Sequence, residues 1–155
     1  SAIKEMGGKT IVHTNKKLGE DGLDDRHILT QVRDELNKAD LVVGFYHLNF
    51  DLPFINTRLL RYGEELIRPK LQIDLYRVVK RFKFNTDRRN LDTVAKFLGV
   101  PLKKTHIDWD QWRKAAINGD KKAIQQIVWH NKIDVRVTEM VFYKVRGLIK
   151  SISVA

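Results

Sequence analysis

The sequence has no cysteine, only three prolines and no apolar run that approaches the ~18 residues of a membrane span. The absence of cysteine excludes a disulfide scaffold, a thiol nucleophile, an iron–sulfur cluster and a cysteine zinc site. Any bound metal must therefore be held by oxygen or imidazole ligands. The first residues also lack the charged-then-apolar layout of a secretory signal. Together these absences predict a cytoplasmic protein without a membrane partner.

The chain is 155 residues long and carries a formal net charge of +10, with a hydrophobic share of 43%. This length suits a single domain with a sizeable core, and the hydrophobic share indicates a folded chain. Much of the positive charge lies in residues 52–104, where thirteen Lys and Arg face five Asp and Glu. Such an excess favours a polyanionic partner, nucleic acid above all, over mere colloidal stability.

Short apolar runs alternate with amphipathic segments along the chain, which predicts a layered α/β fold. Residues 2–14 are expected to form two short strands around a Gly-Gly turn, and residues 39–44 a buried strand. Residues 71–84 are expected to form a strand that leads into a helix. The other predicted helices cover about residues 25–38, 51–63, 91–98, 109–117 and 121–150.

Asp134 lies on an otherwise apolar stripe of the last predicted helix, seven residues from both Ile127 and Val141. A carboxylate in that place needs a base or a metal ion to compensate its charge. His130 lies four residues earlier on the same helical face, so the two side chains point into one pocket. An ordinary His–Asp pair on the helix surface is the alternative interpretation.

Asp51 follows an apolar strand and a short loop, at the carboxyl end of the strand, where open α/β sheets place their ligands. The alternative is an ordinary helix N-cap, because Pro53 marks the first turn of the next helix. The two interpretations are compatible with each other.

A basic face is predicted where Arg77, Lys80 and Arg81 follow one another at helical spacing, with Phe82 and Phe84 interleaved. Cations for phosphates and rings for bases suit a strand of nucleic acid, although a plain solvated face has the same pattern. The remaining large aromatic residues are interpreted as core or helix-packing residues: Trp109, Trp112 and Trp129.

Four segments, taken in order, resemble the DEDD superfamily of 3'–5' exonucleases. The similarity is greatest to ribonuclease H-like proteins related to the exonuclease domain of family B DNA polymerases. The segments are Phe50 to Ile55 with Arg58, Ile73 to Leu75, Leu91 to Val100, and His130 to Val135. This resemblance covers about residues 24–150. It implies a ribonuclease H-like mixed sheet flanked by helices, as one domain over residues 1–155, and metal-dependent 3'–5' hydrolysis of nucleic acid, with DNA expected ahead of RNA.

The resemblance also implies roles for individual residues. Asp51 and Asp134 match two of the four carboxylates that hold two divalent metal ions, Mg²⁺ or Mn²⁺. His130 stands where this spacing class normally has a Tyr that orients the attacking water, so it is a candidate catalytic residue. The expected nucleic-acid contacts are Asn49, Phe50, Arg58, Arg77, Lys80 and Arg81.

Two departures from the family pattern change what is expected of this chain. Tyr46 occupies a place where the family usually has an Asn, and no Asp-x-Glu motif occurs before Asp51. The resemblance therefore implies a domain without its first strand and its first two carboxylates, with weak or absent activity. Its exposed strand edges would permit a homodimer. The alternatives are a non-catalytic nucleic-acid-binding module of the same fold and a protein-interaction domain.

Overall fold

The structure is a computed structural model that describes residues 1–14, 24–69, 71–102, 105–150 and 153–154. Its strands are β1 (Ala2–Lys4), β2 (Thr10–Val12), β3 (Leu41–Gly44), β4 (Leu71–Asp74) and β5 (Ser153–Val154). Its helices are α1 (Arg26–Lys38), α2 (Asp51–Arg61), α3 (Leu75–Arg81), α4 (Leu91–Phe97), α5 (Trp109–Asn118) and α6 (Lys121–Val145), followed by a 3₁₀ turn at Arg146–Leu148.

The strands form two small sheets. β1 and β2 make an antiparallel hairpin in which Ala2 lies opposite Val12. β3 runs parallel to β4, so that Gly44 lies opposite Asp74, and β5 pairs antiparallel with the other side of β4. Because β3 and β4 are parallel, their carboxyl ends meet at one edge of the sheet. That edge carries the loops of the candidate site.

The helix α6 is the centre of the larger hydrophobic core. Its buried residues recur every four positions and pack with residues of β4, α3 and α4. This spacing keeps one stripe of the helix against the core. The buried stripe consists of Ile133, Val137, Val141 and Val145. A second, smaller core joins α1 to α2 and the segment after it through Leu29, Leu52, Leu59 and Ile67.

A cleft of about 1590 Å³ lies between the hairpin and the three-stranded sheet. Both β1 and β3 line this cleft along their whole length, and α6 contacts both strands. Among the described strands, no backbone ladder joins the hairpin to the other sheet. β3 was expected to be buried, but its residues are half-buried or exposed because it borders the cleft. Much of the lining is apolar, including Ile3, Val12, Val32, Val42, Val43, Ile127, Val128 and Val135.

The predicted helices and strands agree with the structure in order and approximate bounds, except that β5 was not predicted and the last helix ends early. α6 was expected to continue to about residue 150 but ends at Val145, where the 3₁₀ turn containing Gly147 begins. Glycine lowers helix propensity by about 1 kcal/mol relative to alanine, which favours an end there. No helix among the described residues combines the length and the apolar character needed to cross a membrane.

Trp109, Trp112 and Trp129 were expected to be core or helix-packing residues, and the expectation of core burial is wrong. The exposed fraction is 81% for Trp109, 41% for Trp112 and 56% for Trp129. α5 packs on α6, but the residues that these helices bury near their junction are the small Ala115 and Ala123. Close approach through small side chains leaves the large rings on the outside of the helix pair.

Two adjacent leucines of α2 provide a matched test of the smaller core. Leu59 is fully buried, whereas Leu60 is exposed. We expect Leu59→Ala to lower the free energy of unfolding by about 2–5 kcal/mol, because it opens a cavity. Leu60→Ala should change it by no more than about 0.5 kcal/mol. Urea unfolding followed by circular dichroism measures both, and equal losses would contradict the packing of this core.

Candidate active site

The loop between β3 and α2 is held by one buried carboxylate, that of Asp74 at the end of β4. Asp74 Oδ1 accepts hydrogen bonds from the backbone N–H groups of Tyr46 at 2.8 Å and Tyr76 at 3.0 Å, and Oδ2 accepts one from Leu48 at 3.2 Å. A buried carboxylate requires such donors, because it has lost its water shell. Asp74 therefore fixes the loop and the start of α3 relative to each other.

Tyr46 has a left-handed backbone, with φ of +66°. This conformation is uncommon for residues other than Gly, Asn and Asp. The resemblance led us to expect an Asn at this position, and Asn adopts this conformation more readily than Tyr. Two contacts offset the strain at Tyr46: its N–H is bound by Asp74, and its ring packs edge-on against Tyr76 at 4.8 Å between centroids.

His47 is buried beneath the same loop, against Gly44. A Cβ atom at Gly44 would lie only 2.6 Å from the His47 ring, so this position leaves room for glycine alone. Burial lowers the pKa of His47, although the charges of Asp74 and Asp51 oppose the shift. The imidazole is therefore held in its neutral form around pH 7.

Asp51 is the first residue of α2 and lines the cleft. The N-cap position belongs to Phe50, and no side-chain hydrogen bond caps the helix, so the N-cap interpretation of Asp51 is wrong. Partial desolvation raises the pKa of the Asp51 carboxyl group; His47 opposes this shift and Asp74 adds to it. A carboxyl group beside a cleft with a raised pKa is typical of functional sites.

Asp134 lines the same cleft from α6, so the fold brings the two predicted carboxylates to one cavity. His130 Nε2 lies 3.4 Å from Asp134 Oδ2, as their spacing of four residues predicts. On its other side, His130 Nδ1 lies 2.6 Å from the hydroxyl of Thr105. The imidazole is thus fixed between Thr105 and Asp134. The sequence analysis missed Thr105, which no local pattern connects to α6.

The described residues contain no group of three or more His, Asp and Glu side chains that could hold a metal ion. Asp51 and Asp134 therefore fit only part of the four-carboxylate site that the resemblance implies. This shortfall agrees with the lack of an Asp-x-Glu motif before Asp51.

Three of the predicted nucleic-acid contacts lie together beside Asp51. The guanidinium of Arg77 donates to Asn49 Oδ1 at 3.3 Å, which joins α3 to the loop. The ring of Phe50 is 62% exposed and stacks on Phe54, with 6.3 Å between centroids and 10° between planes. Lys80 and Arg81 are exposed farther along α3. Arg88 and Arg89, from the same basic stretch of sequence, line the cleft as well.

Arg58 has different surroundings. Its Nη2 donates to Asp25 Oδ1 at 2.7 Å, and the hydroxyl of Tyr62 donates to the same oxygen at 2.9 Å. Burial alone would raise the pKa of Asp25, but the hydrogen bonds from Arg58 and Tyr62 hold that pKa below its usual value. These contacts tie the start of α1 to α2, and neither Asp25 nor Arg58 is among the residues that line the cleft. Arg58 therefore stays a prediction as a nucleic-acid contact, and its observed partners are within the protein.

A model of the RNase H superfamily matches residues 2–146, a span that includes Asp51, Asp74, His130 and Asp134. No curated protein matches the sequence.

Replacement of Asp74 tests whether its carboxylate holds the loop between β3 and α2 in place. We expect Asp74→Ala to lower the free energy of unfolding by about 3 kcal/mol, since it leaves buried N–H groups without an acceptor. Asp74→Asn keeps an acceptor oxygen and should cost less. The control is Asp87→Ala at an exposed position, with an expected change within about 0.5 kcal/mol. The measurement is urea unfolding; a loss for Asp74→Ala as small as that of the control would contradict the role of Asp74.

Proposed function

Because this chain belongs to the RNase H superfamily, we propose that it is a nuclease domain, and more narrowly a 3'–5' exonuclease domain that acts on DNA. The superfamily supports hydrolysis of nucleic acid in general. The observation that carries the narrower proposal is the meeting of Asp51 and Asp134 at one cleft, from two elements distant in sequence. That cleft is bordered by the cations that a nucleic-acid backbone requires.

In this proposal Asp51 and Asp134 are ligands of divalent cations, Mg²⁺ or Mn²⁺. Such cations activate the attacking water and stabilise the leaving 3' oxygen when the ligand set is complete. The described residues supply two of the four carboxylates, so we expect weak or absent cleavage by this chain alone.

His130 fits the role of a positioning residue. Both of its ring nitrogens face protein partners, Thr105 and Asp134, within 3.4 Å. The Thr105 hydroxyl orients the ring, and the ring in turn orients the Asp134 carboxylate toward the cleft. This arrangement supports a role in shaping the acidic site more directly than a role as the base that deprotonates water.

The proposed path of the nucleic acid is a basic surface formed by α3 and the loop after it. The surface comprises Arg77, Lys80, Arg81, Arg88 and Arg89. The segment that contains it carries a net charge of +8 over residues 52–104. The exposed Phe50 ring offers a face for base stacking beside Asp51.

The catalytic proposal is tested on the chain alone and on a version extended before Ser1 by a β-strand that ends in Asp-x-Glu. We expect the extended version to release nucleotides from a labelled 3' end in Mn²⁺ or Mg²⁺, and the chain alone to remain near background. Asp134→Ala in the extended version should return the rate to background, because it removes a metal ligand. Glu65→Ala, at an exposed carboxylate outside the cleft and the basic surface, is the control and should leave the rate unchanged. A rate that Asp134→Ala leaves intact, or an extended version that never exceeds background, would refute the catalytic proposal.

A second candidate is a nucleic-acid-binding module without catalysis. The shortage of metal ligands among the described residues favours it. This candidate requires that the chain bind nucleic acid through the basic surface. The affinity should depend on the salt concentration and should not depend on divalent metal.

Charge reversal tests that surface. We expect Arg77→Glu, Lys80→Glu and Arg81→Glu together to weaken binding of single-stranded DNA. They should also reduce the slope of log affinity against log salt by about 2, because about 0.7 counterion is released per phosphate contact. The control reverses three exposed cations elsewhere, Arg61, Lys144 and Lys150, for the same change in net charge. Fluorescence anisotropy over a salt series measures both variants. Equal slopes for the two triple variants would show that only net charge matters.

A further inference from the structure

A second cavity, of about 460 Å³, lies between α6 and the segment that leads into α5. We name it the α5–α6 pocket and define it by its lining: Thr105, His106, Ile107, Gln111, Lys122, Gln125, Gln126 and Trp129. It shares no residue with the lining of the large cleft. The function proposed above makes no use of it.

Two hydrogen bonds tie the walls of this pocket together. Gln111 Nε2 on α5 donates to Gln126 Oε1 on α6 at 2.7 Å, and Thr105 meets His130 Nδ1 at 2.6 Å. The capping box at the start of α5, formed by Asp108 and Gln111, fixes the connecting segment further. A pocket whose walls are joined in this way is largely formed before a ligand arrives.

The chemistry of the lining suits a nucleotide. The Trp129 ring is 56% exposed, so a face is open to a planar partner. The Gln111 carboxamide already binds Asp108 and Gln126, whereas Gln125 carries a carboxamide that can both donate and accept hydrogen bonds, as base edges do. Lys122 supplies a positive charge at the rim, and none of the lining residues is Asp or Glu. An anionic ligand with a flat heteroaromatic ring complements these features.

The position of the pocket connects it to the candidate site. Thr105 belongs to the pocket and contacts His130, which in turn contacts Asp134 in the large cleft. A ligand in the pocket is therefore separated from the acidic site by the imidazole of His130. One face of α6 carries Lys122, either Gln125 or Gln126, and Trp129 at helical spacing. His130 follows Trp129 directly in the chain.

We infer that the α5–α6 pocket binds one nucleotide of a single strand, with its base stacked on Trp129 and its phosphate beside Lys122. The inference rests on the proposed function, since it assumes that the ligand of this chain is nucleic acid. It adds a second contact region to the basic surface of α3. It also gives a binding role to Trp129, which the helix packing leaves exposed.

The test measures binding of a fluorescein-labelled single-stranded DNA oligonucleotide by anisotropy, at low salt and with EDTA present so that no cleavage occurs. We expect Trp129→Ala to raise the Kd about 5- to 150-fold, which corresponds to the loss of one stacked base. The matched control is Trp109→Ala, because Trp109 is 81% exposed and lies outside both cavities. Its Kd should stay within about twofold of that of the unaltered chain.

Three further measurements separate binding in the pocket from a change in folding. Trp129→Phe should recover part of the affinity, because a smaller ring still stacks. Gln125→Glu, at an exposed position, should weaken binding by placing a negative charge in the pocket. The third measurement replaces the DNA by a sugar-phosphate strand of equal length without bases. Loss of the bases should weaken binding of the unaltered chain more than binding of Trp129→Ala, because the variant has already lost the stacking contact, as in a double-mutant cycle.

The outcomes are distinguishable. If the unaltered chain binds no oligonucleotide at low salt, the proposed function falls together with the pocket. If the chain binds and the α3 charge reversals weaken binding, but Trp129→Ala matches Trp109→Ala, the pocket proposal alone is overturned. A selective loss in Trp129→Ala, with partial recovery in Trp129→Phe, supports the pocket.

Discussion

The carboxylate of Asp74 lies beneath the candidate site and binds three backbone N–H groups from two different segments. The arrangement at the carboxyl edge of the sheet depends on it. It secures the left-handed turn at Tyr46, sets the path by which the chain reaches Asp51, and begins α3, whose first exposed cation is Arg77. Because Asp74 is buried, every one of these donors is needed, and the loop has little freedom to move independently of β4.

The charged residues near this loop form two groups of opposite sign. The cleft contains carboxylates, among them Asp51 with a raised pKa and Asp134 beside His130. The outer side carries the cations of α3, whereas Arg88 and Arg89 of the loop after it line the cleft itself. His47 lies between them, and burial lowers its pKa, so it adds no positive charge near neutral pH. An acidic cleft beside a cationic surface suits a polyanion whose backbone is held while one linkage approaches the carboxylates.

Much of the local structure was predictable from the sequence, because it depends on neighbours in the chain. The helix at 91–97 begins after Asn90, whose side chain accepts from Thr93, and α5 begins with a capping box at Asp108. The pairing of His130 with Asp134 follows from the four-residue spacing. The exposed tryptophans were not predictable in this way. Their burial depends on how closely α5 approaches α6, and that distance is set by Ala115 and Ala123, which carry no distinctive pattern.

The sequence by itself determined the order of the helices and of the first four strands, the basic middle segment, and the two carboxylates that are candidates for the site. Helical periodicity, capping residues and composition act over a few residues, so they are readable without a fold. Only the tertiary structure decided which of these residues meet. The parallel pairing of β3 with β4 brings Asp74 under the loop of Asp51, α6 contacts both sheets and places Asp134 in the same cleft, and Arg58 pairs with Asp25. Such contacts join residues far apart in the chain, and they follow from packing, which no local pattern encodes.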